Sequence, residues 1–386
     1  MILKQVRIHT MEGPVIENGW LCTKGTVIAG FGPMDECPST NEETIDGGGA
    51  DLYPGFVDAH THLGMWEDGL GFEGDDGNED TDPVTPHLRG IDAINPMDHC
   101  FAEAVEAGVT TVVTGPGSAN AIGGQLAAVK THGMCIDDMI VKAPVAMKFA
   151  LGENPKTVYH GKSQAPVTRM ATAALIREQL SKARRYQKQQ EEATADEELD
   201  EPEYDAKCEA LLPVLTGELP AHFHAHRCDD IFTAIRLAKE FHLNYTIVHG
   251  TQGHLAAKRL KAEGMQVLAG PILCDRSKPE LRDLTPANPG ILAGAGMETA
   301  IITDHPVIPI QYLPLCAGLA VREGMDREAA LRAITIVPAR ICGIGDRVGS
   351  IAVGKDADLV LFDGDPLTLA AKPRLVMVNG KVVAKA

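Results

Sequence analysis

The sequence lacks the features of a secreted, disulfide-stabilised or membrane-spanning protein. Its nine cysteines are an odd number, lie scattered along the chain and include no Cys-x-x-Cys pair. They therefore predict reduced thiols in a reducing compartment. The first residues alternate as in a strand, without the apolar core and cleavage site of a signal peptide, and no stretch approaches the roughly 20 apolar residues that span a bilayer. We expect a cytoplasmic protein.

Positive charge is also scarce. The chain has 35 Lys and Arg residues against 53 Asp and Glu, which gives a formal net charge of −18. Such a surface repels phosphate backbones and anionic lipid headgroups, so we expect neither nucleic acid nor a membrane as a partner. The net charge does not restrict a small-molecule substrate, because a local pocket can carry the opposite sign. Assembly into a homo-oligomer stays open, since no self-complementary patch is visible.

Apolar material is sufficient for a large core, since 44% of the 386 residues are hydrophobic. Residues 1–52 and 347–386 consist of short alternating runs separated by Gly, Asn and Pro, which predicts small antiparallel strands. Asn379 and Gly380 indicate a tight hairpin turn between two of them. Because chain termini often lie close together, we expect both ends to form one small β domain.

The middle of the chain, residues 53–346, alternates short β-branched runs with longer amphipathic segments. This pattern is typical of parallel strands joined by helices. Seven strand-like runs are visible and an eighth is weak, which predicts an α/β fold with a (β/α)₈ barrel of about 250 residues. Residues 177–207 differ, being rich in Glu, Asp, Lys and Gln. They favour a solvated helical insertion with a flexible turn, with a lid or a subunit contact as alternatives.

Histidine and aspartate residues at the ends of the strand-like runs are the candidate metal ligands. His60 and His62 are two apart at the end of the first run, so both side chains point to the same side. His224, His249 and Asp304 each end a later run. The carboxyl ends of barrel strands meet at one mouth, where all five residues can share an ion. Each histidine alone is more often structural, and it is the set that predicts a site.

Two loops follow strands at the expected mouth. Residues 68–83 are acidic and glycine-rich, and we expect them to border the substrate site. Residues 114–125 are also glycine-rich and offer backbone donors for an anionic group, although a plain turn is the favoured interpretation.

The motifs resemble the amidohydrolase superfamily, and within it the branch related to imidazolonepropionase. The resemblance covers nearly the whole chain. It is carried by residues 52–62 (Leu-Tyr-Pro-Gly-Phe-Val-Asp-Ala-His-Thr-His), residues 107–112 (Ala-Gly-Val-Thr-Thr-Val), His249 with Gly250, Asp304, and residues 349–360 (Gly-Ser-Ile-Ala-Val-Gly-Lys-Asp-Ala-Asp-Leu-Val). It implies a metal-bearing barrel flanked by a small β-sandwich, with the five strand-end residues as metal ligands.

The resemblance also suggests an extra ligand on the predicted fourth strand. Many two-metal relatives carry there a lysine that CO₂ has carboxylated, and the resulting carbamate bridges both ions. Lys148 occupies this strand. Glu153 is a competing oxygen ligand, because some relatives use a glutamate nearby. Lys148 is slightly favoured.

The ligand on the fifth strand stays open, because His222, His224 and His226 alternate along it. Relatives with a single metal place a glutamate three residues after that histidine, where it shuttles protons. With His224 as the ligand, position 227 is arginine. The chain therefore departs from the pattern of the cytosine, adenosine and guanine deaminases, and of imidazolonepropionase itself.

Three residues are candidates for substrate binding. Arg227 can hold a substrate carboxylate through two parallel hydrogen bonds. A salt bridge from Arg227 to Asp229 or Asp230 is an equally good interpretation. Arg89 and His254 are further candidates.

The donor set suits Zn²⁺, with Mn²⁺ or Fe²⁺ as alternatives, in one or two ions. A divalent ion lowers the pKa of bound water from about 15.7 towards about 7. The hydroxide would attack an amide-like carbonyl polarised by a metal or by His249, while Asp304 accepts the proton and returns it to the leaving nitrogen.

The predicted function is therefore hydrolysis of a non-peptide C–N bond in a small molecule, either a cyclic amide or an N-acyl amino-acid-like compound. One alternative is a heterocycle aminohydrolase. The other is a catalytically silent barrel that serves as a binding or assembly subunit.

Overall fold

The structure, a computed structural model, describes residues 1–39, 41–67 and 71–385. Its strands are β1 (Ile2–Ile8), β2 (Ile16–Lys24), β3 (Val27–Pro33), β4 (Thr44–Asp46), β5 (Asp51–Pro54), β6 (Phe56–Thr61), β7 (Val109–Thr114), β8 (Ile122–Lys130), β9 (Ile140–Ala150), β10 (Ala221–Ala225), β11 (Tyr245–His249), β12 (Val267–Ala269), β13 (Thr299–Ile301), β14 (Leu359–Phe362), β15 (Pro373–Val378) and β16 (Lys381–Lys385).

The α-helices lie mostly between the strands of the middle region. They are α1 (His99–Glu106), α2 (Ile136–Met139), α3 (Glu153–Gly161), α4 (Arg169–Ala195), α5 (Ala206–Glu209), α6 (Leu212–Leu215), α7 (Cys228–Phe241), α8 (Ala257–Ala262), α9 (Asn288–Gly294), α10 (Leu313–Arg322), α11 (Arg327–Arg332) and α12 (Ile336–Ile341). Within the described ranges, every helix is too short or too polar to cross a bilayer.

Both ends of the chain contribute strands to one sheet. Its order is β16-β15-β14-β5-β1-β2-β3, with β4 beside β1. The predicted hairpin joins β15 to β16, with Val378 opposite Lys381. Asn379 and Gly380 have φ values of 48° and 72°, and such a two-residue turn needs positive φ at both positions. The exact domain boundaries and a sandwich arrangement of this sheet stay predictions.

The second sheet is an eight-stranded barrel in which β6 to β13 follow one another in chain order. The α/β class is confirmed, but the regular (β/α)₈ pattern needs a correction. Strand β8 runs antiparallel to β7 and to β9, whereas the other neighbouring pairs are parallel. No helix lies between β7 and β8, and only the four-residue α2 lies between β8 and β9.

Strand β8 begins inside residues 114–125, which the sequence predicted as a turn. Its glycines produced that prediction, because glycine usually interrupts strands. Gly124 has a φ of 130°, and a Cβ there would lie 2.6 Å from the backbone oxygen of Leu88. Glycine is thus needed at this position for the close approach of a neighbouring loop.

The first and last strands of the barrel sheet, β6 and β13, are linked by individual hydrogen bonds that involve the residues following β13. The carboxylate of Asp58 accepts hydrogen bonds from the backbone N–H of Thr303 at 3.0 Å and from its hydroxyl at 2.6 Å. The N–H of His62 donates to the carbonyl of His305 at 2.8 Å. The barrel is therefore nearly closed, and these contacts hold the ends of its first and last strands together.

The charged segment is partly a core element. Helix α4 starts at Arg169, after Thr168, whose hydroxyl accepts a hydrogen bond from the N–H of Ala171. One face of the helix is buried, and within the charged segment this face includes Leu180 and Ala183. This face packs into an apolar cluster that also includes side chains of β9, β10 and α7. The sequence predicted a solvated insertion because its charges dominate the composition and conceal this apolar stripe.

Candidate metal centre

The structure brings the five predicted ligands together at one mouth of the barrel. His60 lies in β6 with His62 just beyond it, His224 lies in β10, and His249 is the last residue of β11. Asp304 follows β13. These strands are neighbours or face each other in the barrel, so residues distant in sequence become close in space.

The ligands form two adjacent clusters. In the first, Oδ1 of Asp304 lies 3.6 Å from Nε2 of His60 and 3.5 Å from Nε2 of His62. In the second, the ring nitrogens of His224, His226 and His249 lie within 4.8 Å of one another. The clusters meet where the rings of His60 and His249 have centroids 5.6 Å apart.

Each of four histidines has a polar partner at Nδ1. The pairs are His62 with the Gly115 carbonyl (2.8 Å), His249 with the Gly270 carbonyl (2.7 Å), His224 with the Ser118 hydroxyl (2.9 Å) and His226 with the Thr251 hydroxyl (2.7 Å). A carbonyl can only accept, so Nδ1 of His62 and of His249 carries the hydrogen and Nε2 keeps a lone pair. Metal-ligating histidines are oriented in this way.

These clusters fit a divalent cation. Nε2 of His224 is buried and has no hydrogen-bond partner among the described residues. Imidazole nitrogens and carboxylate oxygens suit Zn²⁺, Mn²⁺ or Fe²⁺. Without a cation, buried lone pairs that face each other would be costly.

The role of His249 in polarising a substrate carbonyl stays a prediction, and the geometry of its ring favours the other predicted role, that of a metal ligand. Burial lowers the pKa of His249 to about 4, so the ring is neutral near pH 7. Its one hydrogen is donated from Nδ1 to Gly270, and Nε2 has none to offer to a substrate oxygen. The geometry therefore supports His249 as a ligand.

The backbone is strained at two of the strand-end residues. His249 has a φ of 75° and Asp304 a φ of 58°, a region that residues other than glycine rarely adopt. Such strain concentrates at functional sites. Burial raises the pKa of Asp304, but His249 and His62 outweigh this effect and the pKa is lowered overall. The carboxylate is thus ionised and able to accept a proton or bind a cation.

Of the two candidates for the extra ligand, Lys148 and Glu153, Lys148 is the one that contacts the histidine clusters. Its side chain is fully buried, and Nζ lies 3.1 Å from Nε2 of His60. Burial lowers the pKa of Lys148 to about 7. Glu153, the first residue of α3, uses Oε2 to accept a hydrogen bond from the N–H of Glu280 at 3.3 Å. The position of Lys148 next to His60 favours it over Glu153.

A cavity of ≈ 740 Å³ opens onto both clusters. Its lining includes His62, His224, His226 and Asp304, together with the apolar side chains of Trp66, Val158, Leu281 and Val307. Binding sites for small molecules typically measure about 300–1,000 Å³. Asn78 brings the acidic loop to this lining, as predicted, whereas positions 68–70 of that loop lie outside the described residues.

The predicted substrate-binding residues do not line this cavity. Arg227 forms two hydrogen bonds with the carboxylate of Asp229, at 2.9 and 2.7 Å, which is the salt bridge weighed as its alternative. Arg89 pairs in the same way with Asp92 at 2.8 and 2.6 Å. His254 lies in a short 3₁₀ turn after β11. Local acidic partners therefore hold both arginines.

Two residues of the site were not predicted as ligands. His226 was one of three alternating histidines, and the sequence left open which of the three binds the metal. Glu280 lies in the segment after β12, is 1% exposed, and has Oε1 3.6 Å from Nε2 of His226 and 3.9 Å from Nε2 of His224. Burial raises the pKa of Glu280, but His226 and Lys278 lower it more strongly. No pattern in the sequence marks this glutamate, because it follows no strand directly.

Comparison with known proteins shows the family of the chain. The model of the amidohydrolase family matches residues 52–383. The chain is 31% identical over 400 residues to the amidohydrolase tasK of Hapsidospora irregularis, covering 94% of this chain and 40% of that protein. It thus spans less than half of that relative. It is 27% identical over 372 residues to the imidazolonepropionase of Acidiphilium cryptum, covering 92% and 89% of the two chains.

The fold agrees as well. The crystal structure of an amidohydrolase from Thermotoga maritima MSB8 superposes with a TM-score of 0.96 and 39% identity, covering 100% of both chains. The family match covers far more than half of the chain. The chain belongs to the amidohydrolase family.

Proposed function

We propose that the chain is a metal-dependent amidohydrolase that hydrolyses a non-peptide C–N bond in a small molecule, either a cyclic amide or an N-acyl amino-acid-like compound. The observation that carries this proposal is the pair of adjacent imidazole clusters, one completed by Asp304, beside a cavity of small-molecule size. The family match supports the reaction class. The substrate class rests on the size of the cavity and on its mixed polar and apolar lining.

The proposed metal ligands are those at the strand ends. His60, His62 and Asp304 would hold one ion, and His224 and His249 would contribute to a second. Zn²⁺ is the favoured metal, with Mn²⁺ or Fe²⁺ as alternatives. When bound, such an ion lowers the pKa of water and so supplies a nucleophile near neutral pH.

Asp304 is the proposed proton carrier. Its Oδ1 lies 3.6 Å from Nε2 of His60 and 3.5 Å from Nε2 of His62, and Asp304 also lines the cavity in which a substrate would bind. Its lowered pKa keeps it ionised at neutral pH. It would accept the proton of the attacking water and deliver it to the leaving nitrogen.

Lys148 would serve as a carbamate. Its pKa of about 7 leaves much of the amine neutral at physiological pH, and only the neutral amine attacks CO₂. The reaction forms an N–C bond and releases one proton, leaving a carbamate whose two oxygens can bridge two cations. A neutral lysine offers a single nitrogen and cannot bridge.

The test combines metal analysis with a substrate screen. The purified chain, loaded with Zn²⁺, is incubated with a panel of cyclic ureides, lactams and N-acyl amino acids, and Asp304→Asn is assayed beside it. We expect ring opening or deacylation by the wild type and little turnover by the variant. Release of ammonia from heterocyclic amines instead would identify an aminohydrolase. A chain that holds metal but turns over none of these classes would contradict the proposal.

A further inference from the structure

A lysine side chain lies on the wall of the cavity that opens onto the histidine clusters. Among the described residues that line this cavity, Lys278 is the only lysine or arginine. It lies in the segment after β12, and its side chain is 30% exposed. The cavity therefore presents an ammonium group to a bound molecule, although the chain as a whole is acidic.

Two acceptors hold this ammonium group. Nζ of Lys278 lies 2.6 Å from Oε1 of Glu280 and donates a hydrogen bond to Oδ1 of Asn154 at 2.9 Å. An ammonium group has three donors, so a third N–H can serve a ligand. Glu280 is 1% exposed and does not contribute to the cavity lining, whereas Lys278 does. Of this ion pair, the ammonium is thus the member that a ligand can reach.

The position of Lys278 is fixed from behind. Oε2 of Glu280 accepts a hydrogen bond from the N–H of Glu153, the first residue of α3, at 3.1 Å. The carboxylate that holds the ammonium is therefore itself anchored to a helix. Ordering a free lysine side chain costs conformational entropy, so an ammonium that is already held can bind an anionic group at a lower entropic cost.

The ammonium also lies close to the second histidine cluster. Oε1 of Glu280, which pairs with Lys278, lies 3.6 Å from Nε2 of His226. In an N-acyl amino acid, one nitrogen and one carbon atom separate the scissile carbonyl from the carboxylate. The same spacing occurs in a lactam that carries its carboxyl group on the carbon next to the nitrogen. Such molecules can place the carboxylate at Lys278 and the carbonyl at the clusters.

We propose that Lys278 binds a carboxylate of the substrate. The substrate class then narrows to N-acyl amino acids and to cyclic amides with a carboxyl group next to the amide nitrogen. This inference rests on the proposed function, because it assigns one end of the substrate of the same site. Arg227, predicted for this role from the sequence, pairs with Asp229 and does not line the cavity.

The test compares ligands that differ by one carboxylate. The pairs are pyroglutamate with 2-pyrrolidinone, and N-acetyl-L-leucine with N-acetyl-L-leucinamide. Isothermal titration calorimetry on the full chain loaded with Zn²⁺ gives the ratio of the two dissociation constants in each pair. For a ligand that the chain hydrolyses, the ratio of kcat/KM values replaces it. Elemental analysis of every variant verifies that the metal is retained.

The variants separate anion binding from a merely structural ion pair. Lys278→Met leaves the carboxylate of Glu280 buried and unpaired, which destabilises the chain. Lys278→Met/Glu280→Gln removes both charges and avoids this defect. Glu280→Gln keeps the ammonium and removes the group that neutralises it. Lys162→Met is the matched control, since Lys162 is 37% exposed and pairs with Asp80 at 2.7 Å, but does not line the cavity.

We expect the wild type and Lys162→Met to bind the carboxylate member of a pair about 10–100-fold more tightly, the range of a hydrogen bond between charged groups. Lys278→Met/Glu280→Gln should lose most of this preference, and Glu280→Gln should increase it. Equal binding of both members to the wild type, absence of binding included, would overturn the proposal. An unchanged preference in the double variant would do the same, because Lys278 would then only neutralise Glu280.

These data also separate the inference from the proposed function. If the wild type hydrolyses members of the panel without a preference for carboxylates, the role of Lys278 fails and the proposed function stands. If carboxylates bind in a manner that depends on Lys278 but none of the panel is hydrolysed, the role of Lys278 stands and the proposed function fails.

Discussion

The carboxylate of Asp58 accepts hydrogen bonds from both the backbone N–H and the hydroxyl of Thr303, and so joins the first and last strands of the barrel. Oδ1 of the same carboxylate accepts from the N–H of His60 at 3.2 Å. Burial raises the pKa of Asp58 to about 7. This fully buried group therefore links closure of the barrel to the position of a metal ligand.

Replacing Asp58 should destabilise the fold. Asp58→Ala leaves the N–H and hydroxyl of Thr303 buried without their partner, and each such group costs about 1–3 kcal/mol. We expect the free energy of unfolding of the metal-free chain to fall by about 2–6 kcal/mol in urea titrations. Thr303→Val is the control, because it removes one hydroxyl and keeps the N–H bond, and it should cost about 1 kcal/mol. Equal stabilities of wild type and Asp58→Ala would show that this contact does not hold the strands.

Replacing Asp304 should separate chemistry from metal binding. Asp304→Asn keeps an oxygen near His60 and His62 but removes the ability to accept a proton at neutral pH. We expect kcat to fall by about 10²–10⁴-fold, the range of general acid–base catalysis, while metal content at saturating Zn²⁺ stays near that of the wild type. Unchanged turnover would remove Asp304 from proton transfer.

Carboxylation of Lys148 should depend on both CO₂ and pH. Below pH 7 the amine is increasingly protonated and cannot attack CO₂, because its pKa is about 7. We expect a carbamate signal in ¹³C NMR spectra of chain treated with ¹³C-bicarbonate, stronger at pH 8 than at pH 6. The signal should be absent from Lys148→Met. Its persistence in that variant would assign it to another lysine.

The buried ring of His222 should make the stability of the metal-free chain sensitive to acid. Neither ring nitrogen has a hydrogen-bond partner among the described residues, and burial lowers the pKa to about 3. In the unfolded chain the ring takes up a proton near its ordinary pKa of about 6.5. Stability from this group is thus present above about pH 6.5 and is lost as the pH falls towards 3.

His222→Leu tests this pH dependence. Between pH 7.5 and 5.5, the free energy of unfolding of the chelated wild type should fall by about 1.4 kcal/mol more than that of the variant. Urea titrations at both pH values measure the difference. Identical changes in the two proteins would mean that His222 titrates alike in the folded and unfolded chains.

The sequence predicted the site where chemistry-bearing residues directly follow β-branched runs. His60, His62, His249 and Asp304 end strands that alternate with helices, and the geometry of such strands places their ends together. Strand β8 was missed because glycines dominate its start. Glu280 was missed because no strand precedes it directly, so only the path of the loop after β12 shows that it faces His226.

The sequence also could not decide between a salt bridge and substrate binding for Arg227. Arg227 has acidic neighbours and lies near the mouth, so both salt bridging and substrate binding fitted the sequence. The structure pairs Arg227 with Asp229, and the alternation of His224 and His226 brings both rings into one cluster. The partner of Arg227 and the position of the His226 ring both depend on where side chains point beyond the end of the strand. The periodicity of the sequence does not specify that direction.

Metal content measured together with hydrolysis is the most direct test of metal-dependent C–N cleavage at this site. The wild type and a His60→Asn/His62→Asn variant are analysed as purified, after chelation and after return of Zn²⁺. We predict that chelation abolishes turnover by the wild type, that Zn²⁺ restores it, and that the variant holds less metal and stays inactive. Full turnover by metal-free wild type, or an unchanged metal content in the variant, would contradict a metal-dependent hydrolase at the barrel mouth.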